Sequence, residues 1–97
     1  MTRIKISQLI WDAGNTEHIT KHHVTKEEVE EAIRRVGAHR KGYLGRVVLL
    51  GRAGKRILAM IVKPTGNNQY YLITARDADQ KERRLLYANE RKENTKV

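Results

Sequence analysis

Arginines cluster at a predicted strand-to-helix corner in the segment LITARDADQKERRLLY, residues 72–87. Arg76 ends the β-rich part of this segment, and Arg83 lies in the helical part that follows. A guanidinium group can donate two parallel hydrogen bonds to phosphate oxygens, so the corner could bind a phosphate group. The structural alternative is that Arg83 only forms surface pairs with Asp79 and Tyr87, which lie four residues away on the same side of a helix.

Two histidines, His18 and His22, could supply an acid or a base, because imidazole titrates near neutral pH. Their spacing places both on one side of a helix, with Lys21 beside them. Zinc sites use the same spacing, but the sequence offers no third ligand near it, so we predict neither a metal nor another cofactor. The structural alternative is that one histidine packs against Trp11 or caps a neighbouring group.

The net charge of +9 is concentrated in the middle of the chain. Residues 38–76 hold eight Lys and Arg and no Asp or Glu, whereas residues 1–37 hold six of each sign. A basic segment of this kind favours a polyanion such as nucleic acid, although surface charge that serves only solubility gives the same composition. The residues that we predict to contact nucleic acid are Arg46, Arg52, Lys55, Arg56, Lys63 and Arg84.

Three helices are predicted from capping signals and apolar spacing. Asp12 can cap a short helix that contains the two histidines. The segment TKEE, residues 25–28, is a capping box for a second helix, and Gly37 has the position of a C-terminal cap glycine. Asp79 and Glu82 have capping-box spacing at the start of a third helix, which is predicted to run to about residue 92. Glu82 could be a cap partner or a general base.

Strands are predicted in three β-rich runs, RVVLLGR, RILAMIVK and QYYLITAR, which short connections would pair as an antiparallel meander. A weaker run at residues 3–11 predicts a first strand, and residues 42–44 could add an edge strand. Tyr70 and Tyr71 alternate across the last strand, so one would face the core and the other could stack on a base.

The predicted fold class is α+β, in a single domain of residues 1–97 with a frayed tail at about residues 93–97. Two N-terminal helices and a C-terminal helix are expected to pack on a three- or four-stranded antiparallel sheet. We expect them to cover one face of the sheet and to leave the basic strands exposed on the other.

Composition excludes several kinds of protein. The chain has no Cys, which rules out disulfides, thiolate metal sites and a cysteine nucleophile. The longest apolar run, at residues 57–62, is far shorter than the roughly 20 residues that span a bilayer, and residues 1–20 lack the apolar region of a signal peptide. We therefore expect a cytoplasmic protein with no membrane partner.

Two segments resemble the signatures of the BrnT toxin family. WDAGNTEHITKHHVTKEEVEEA, residues 11–32, is similar to its N-terminal signature, and ITARDADQKERRLLY, residues 73–87, is similar to its closing signature. His23 stands where the family commonly has glycine, and Asp79 where it usually has Thr or Ser. The resemblance implies a RelE-like fold and a ribonuclease toxin that a cognate antitoxin neutralises, typically one with a ribbon-helix-helix DNA-binding domain.

RNA cleavage without a metal requires a base, an acid and fixed cations around the reacting phosphate. The residues that we expect to supply these groups are His18, Lys21, His22, Arg76, Arg83 and Tyr87. The expected partners are RNA and the antitoxin, and a homodimer stays open. The alternatives are a non-catalytic RNA- or DNA-binding module on the same scaffold, or an interaction subunit whose basic face meets an acidic protein.

Overall fold

Over residues 8–66 and 68–94, which the computed structural model describes, the chain forms a five-stranded sheet, three α-helices and one 3-10 turn. The helices are α1 (Ala13–Thr20), α2 (Lys26–Arg34) and α3 (Gln80–Asn94). The strands are β1 (Gln8–Ile10), β2 (Val36–Lys41), β3 (Val47–Ala53), β4 (Arg56–Gly66) and β5 (Gln69–Asp77). None of the described helices is both long and apolar enough to cross a membrane.

The sheet is mixed, with the strand order β1-β5-β4-β3-β2. The predicted meander is confirmed as β3, β4 and β5, which pair antiparallel. The expectation of three or four antiparallel strands holds for β2 to β5, because β2 adds an antiparallel edge strand. The sheet as a whole differs from the prediction, since β1 adds a fifth strand that pairs parallel with β5. Residues 3–7 of the predicted first strand, Asn67, and residues 95–97 of the predicted tail lie outside the described residues.

The helices cover both faces of the sheet, which corrects the expectation of one covered face. Leu49 and Met60 belong to the core beneath α1 and α2, whereas their strand neighbours Leu50 and Ala59 belong to a second core beneath α3. Strands that are buried on both faces read as continuous apolar runs rather than alternating ones. The runs VVLL and ILAMIV, in β3 and β4, are continuous in this way, so both faces of these strands must be buried.

The segment after α2 differs most from its prediction. Helix α2 ends at Arg34, and Gly37 lies within β2 instead of capping the helix. A Cβ atom at Gly37 would approach the Leu86 Cδ1 atom of α3 to 2.7 Å, so the glycine allows this helix to pack closely on the strand. Residues 42–44 form no strand, because Tyr43–Gly45 is a 3-10 turn that joins β2 to β3.

Local capping signals predicted the helix starts correctly. In each capping box the cap residue and the third helical residue exchange hydrogen bonds with one another's main chain. The pairs are Asp12 with Asn15, Thr25 with Glu28, and Asp79 with Glu82.

A Schellman motif ends the helical turn after α1. The Val24 N–H donates to the Ile19 carbonyl at 3.1 Å, and the His23 N–H donates to the Thr20 carbonyl at 3.0 Å. His23 has φ 57°, in the left-handed region that glycine adopts most easily. A glycine at this position, as the resemblance noted above would imply, would adopt this conformation without a Cβ clash. Arg56 Nη1 donates to the His23 carbonyl at 2.7 Å and so fixes this turn against β4.

Candidate functional site

A buried carboxylate, Glu82, holds two arginine side chains where α3 begins. Arg76 donates from Nη1 to Glu82 Oε1 at 2.8 Å and from Nη2 to Oε2 at 3.0 Å. Arg40 donates from its Nη2 to the same Oε2 atom at 2.8 Å. Because both Nη2 groups bind one oxygen atom, the two guanidinium groups lie side by side.

Strand register places the two arginines on the same side of the sheet. Arg40 lies opposite Val48, and Arg76 lies opposite Ala59. Both of these apolar residues belong to the core beneath α3. Strands β2 and β5 are three strand spacings apart, roughly 14 Å. At this distance the side chains of Arg40 and Arg76 can be joined only through a group that lies between them. Glu82 is that group.

The electrostatics of Glu82 follow from burial and from its donors. Burial alone would raise the pKa of this carboxyl, but hydrogen bonds from Arg76, from the Asp79 main chain and from Arg40 lower the pKa to about 2. The carboxylate is therefore ionised at neutral pH, and its two arginine partners leave a net positive charge on the group. A carboxylate with this pKa is a weak proton acceptor, which favours the capping and positioning role over that of a general base.

Solvent reaches the arginines but not the carboxylate. The side chain of Glu82 is 2% exposed, whereas those of Arg76 and Arg40 are 32% and 44% exposed. An anion that approaches this face of the sheet would meet two cations whose positions are already fixed, with the negative charge beneath them. A phosphate group suits this arrangement because its oxygens can bind several N–H groups at once.

A cleft of about 450 Å³ adjoins the paired arginines. It lies on the same face of the sheet, beside the turn that joins β2 to β3. Its lining residues are Arg40, Lys41, Gly42, Tyr43, Arg46, Val48 and Ile61. The floor is therefore apolar, and the surrounding side chains are cationic or aromatic.

Comparison with known proteins finds one similar solved structure. No protein-family model matches the chain, and a search of curated proteins found no match. Among solved structures, the chain is similar to the crystal structure of the Brucella abortus ribonuclease toxin BrnT, with 26% identity and a TM-score of 0.55. The match covers 75% of this chain and 97% of that one. The chain is therefore similar in both fold and sequence to a BrnT toxin. The resemblance that the two sequence segments indicated is thus confirmed.

In this BrnT-like chain the histidine group lies apart from Arg76. His18 is exposed on α1, and Lys21 and His22 are exposed in the turn that follows this helix. Ile19 of the same helix packs into the core on the opposite face of the sheet from Arg76. The His18 and His22 rings stack, with 5.8 Å between their centroids, so the prediction that they share one side of a helix is confirmed. The described part of the chain contains no cluster of three or more His, Asp or Glu side chains that could hold a metal ion.

The remaining predicted residues of α3 are exposed. Arg83 lies close enough to Asp77 to contribute to the lowered pKa of that carboxyl, after the larger effect of the hydrogen bond from Arg56. Tyr87 lies on another part of the helix, where the Arg52 guanidinium is 6.0 Å from its ring centre. In the described structure, Arg76 therefore pairs with Glu82 and not with Arg83 or Tyr87.

The basic residues of the central segment do not form one continuous surface. Arg52 donates to Glu90 at 2.7 Å and 2.8 Å, and Arg56 binds both Asp77 and Glu28, so these two cations are neutralised by acidic partners. Arg46 lines the cleft. The remaining predicted contacts, Lys55, Lys63 and Arg84, are exposed.

Arg40, Lys41 and Tyr43 belong to this site but were not predicted. Arg40 and Lys41 lie in the segment without acidic residues, which was the available signal. Tyr70 packs against the core beneath α1 and α2, and the Tyr71 hydroxyl donates to the Asp12 carboxylate at 3.0 Å, so neither tyrosine is presented as an open stacking surface.

Proposed function

We propose that this protein is a ribonuclease toxin that cleaves RNA without a metal ion and is neutralised by a cognate antitoxin. The observation that carries the proposal is the pair of partly exposed guanidinium groups, Arg40 and Arg76, which Glu82 fixes on one face of the sheet. The similarity to a solved structure that is described as a ribonuclease toxin supports the reaction class.

The cleavage would begin when the ribose 2′-oxygen attacks the adjacent phosphorus atom. A base takes the 2′-hydroxyl proton, the bond from phosphorus to the 5′-oxygen breaks, and an acid protonates that leaving oxygen. The products are a 2′,3′-cyclic phosphate and a 5′-hydroxyl. Negative charge accumulates on the phosphoryl oxygens in the transition state, where fixed cations stabilise it most. Arg40 and Arg76 would supply these cations.

Glu82 would act through the arginines. It is buried, and its low pKa makes it a poor base, so its role is to hold the two guanidinium groups in position. His18, Lys21 and His22 lie on the other side of the sheet, and we propose that they contact RNA that flanks the reacting phosphate. We propose the same flanking role for Arg83 and Tyr87, because both are exposed on α3.

The test is cleavage of a labelled single-stranded RNA in the presence of EDTA. We expect the wild-type protein to give products, and Arg76→Ala and Arg40→Ala to reduce the rate by about a hundredfold or more. Arg52→Ala is the matched control, because this arginine is on the same face of the sheet but is paired with Glu90. Its cleavage rate should equal that of the wild type.

Two results would contradict the proposal. If Arg76→Ala and Arg52→Ala have the same cleavage rate, the arginine pair has no role in the reaction. If the RNA stays intact both in the isolated assay and with translating ribosomes, but binds in a salt-dependent manner, the protein is a non-catalytic binding module. The observation that favours this second function is the low pKa of Glu82, which makes the carboxylate between the two arginines a poor proton acceptor.

The antitoxin proposal has a separate test in bacteria. Expression of the wild-type protein should arrest growth, expression of Arg76→Ala should not, and coexpression of a cognate ribbon-helix-helix protein should restore growth. Growth arrest that is identical for the wild type and Arg76→Ala would show toxicity without the proposed site.

A further inference from the structure

The cleft beside the arginine pair has the chemistry of a nucleotide site, and we propose that it holds one unpaired nucleotide of RNA with its base stacked on Tyr43. This inference rests on the proposed function, because it assigns the substrate-binding part of the same site. Tyr43 belongs neither to the two segments that resemble the BrnT signatures nor to the arginine pair.

The first observation is the exposure of Tyr43. Its surface is 82% exposed, so the ring contributes little to the packing of the fold. Aromatic side chains that are open to solvent provide flat surfaces on which unpaired bases stack, and any base can use such a surface. Tyr43 lines the cleft, whereas its neighbour Leu44 is equally open at 80% but does not.

The second observation is that the turn holds Tyr43 in a defined position. The Gly42 N–H donates to the Arg46 carbonyl at 2.8 Å, and the Arg46 N–H donates to the Tyr43 carbonyl at 3.0 Å. Leu44 has φ 54°, a left-handed conformation that a leucine adopts only at a conformational cost. Strained residues of this kind persist where the surrounding structure fixes them, and they are common at binding sites.

The third observation is the size and charge of the cleft. Its volume of about 450 Å³ falls at the lower end of the range for small-molecule sites, which is roughly 300–1,000 Å³, and suits a single nucleotide. Val48 and Ile61 provide an apolar floor, and Arg46 provides a cation to which no acidic side chain of the described residues pairs. A base would thus meet Tyr43 and the apolar floor, and a phosphate would meet Arg46.

Arg40 joins the cleft to the proposed reaction site. It lines the cleft and also binds Glu82, which holds Arg76. A nucleotide in the cleft would therefore place its neighbouring phosphate close to the arginine pair. Because the base must be free to stack, the inferred substrate is single-stranded rather than double-stranded RNA.

The test measures affinity for a fluorescent RNA whose riboses carry 2′-O-methyl groups, so that no cleavage can occur. We expect Tyr43→Ala to weaken binding by about tenfold, as the loss of one stacked base does. Tyr43→Phe should bind within twofold of the wild type, because the ring is retained. Leu44→Ala is the matched control, and it should also bind within twofold.

Two further measurements separate stacking from other causes. Tyr43→Ala should leave the dependence of affinity on salt unchanged, whereas Arg46→Ala should reduce the slope by about one charge. An oligonucleotide of the same length without bases should bind the wild type and Tyr43→Ala equally.

The inference is overturned if Tyr43→Ala binds the RNA as tightly as the wild type. It is also overturned if Leu44→Ala weakens binding as much as Tyr43→Ala, because the turn as a whole, and not the Tyr43 ring, would then support RNA binding. The binding assay does not depend on cleavage. A protein that binds in this pattern, but leaves unmodified RNA intact both in the EDTA assay and with translating ribosomes, would refute the proposed ribonuclease activity and retain the nucleotide site. A wild-type protein that binds no RNA even at low salt would refute both.

Discussion

Replacing Glu82 with Gln tests whether one carboxylate holds the two arginines. Glutamine has nearly the same shape, and its carbonyl oxygen can still accept the Asp79 main-chain N–H, so the start of α3 keeps its cap. The substitution removes the negative charge that Arg40 and Arg76 share. Its effect on stability therefore reports on that charge rather than on packing or capping.

The expected magnitude follows from the pKa of Glu82. The pKa falls from 4.5 to about 2 on folding, and each unit corresponds to about 1.36 kcal/mol, so the ionised carboxylate contributes about 3 kcal/mol at pH 7. Because the folded-state pKa is the lower one, this contribution is complete above the ordinary pKa and is lost as the pH falls towards 2. By pH 3 it should have fallen to about half of this value.

Urea unfolding at pH 7 and pH 3, followed by the fluorescence of Trp11, measures both values. The difference in the free energy of unfolding between the wild type and Glu82→Gln should be about 3 kcal/mol at pH 7 and about half of that at pH 3. Glu90→Gln is the control, because its pair with Arg52 is more exposed and should contribute less than about 1 kcal/mol. A difference for Glu82→Gln that is below 1 kcal/mol at pH 7, or that does not shrink at pH 3, would refute this reasoning.

Three other substitutions test features of the fold by the same urea assay. His23→Gly should raise the free energy of unfolding by about 1 kcal/mol, because glycine adopts φ 57° without a Cβ clash; a loss of stability would contradict this. Gly51→Ala should lower it by more than about 3 kcal/mol, since the new Cβ would lie 2.1 Å from the carbonyl oxygen of Ala32 on α2; a change below 1 kcal/mol would mean that the helix moves easily. Arg56→Ala should lower it by about 2 kcal/mol, because this side chain binds two carboxylates and the His23 carbonyl; an unchanged value would show that these exposed bonds contribute little.

The parts of the structure that depend on neighbouring residues were predictable from the sequence. The capping boxes of α2 and α3 were predicted from residues three positions apart, and Asp12 was predicted to cap α1, although its box with Asn15 was not predicted. The shared side of His18 and His22 was predicted from residues four positions apart. These features need only the geometry of a single helix. Arg76 was identified as a phosphate candidate because it ends a strand next to such a helix.

The parts that depend on distant contacts were not predictable. Gly37 had the sequence position of a helix cap. In the structure its lack of a Cβ atom allows Leu86 of α3, almost fifty residues later, to pack against the strand. Arg40 joins Glu82 across 42 positions of sequence, and only the strand order brings them together. Apolar periodicity also does not determine which face of the sheet α1 covers. The histidines were therefore predicted to lie with Arg76, whereas they lie on the other face.

The bond between Arg40 and Glu82 also has a consequence for the timing of protein synthesis. Arg40 leaves the ribosome 42 residues before Glu82 does. Until the start of α3 has emerged and docked, no carboxylate joins Arg40 to Arg76. A nascent chain therefore carries Arg40 well before the carboxylate that aligns it, so the arginine pair is assembled only when the start of α3 has docked.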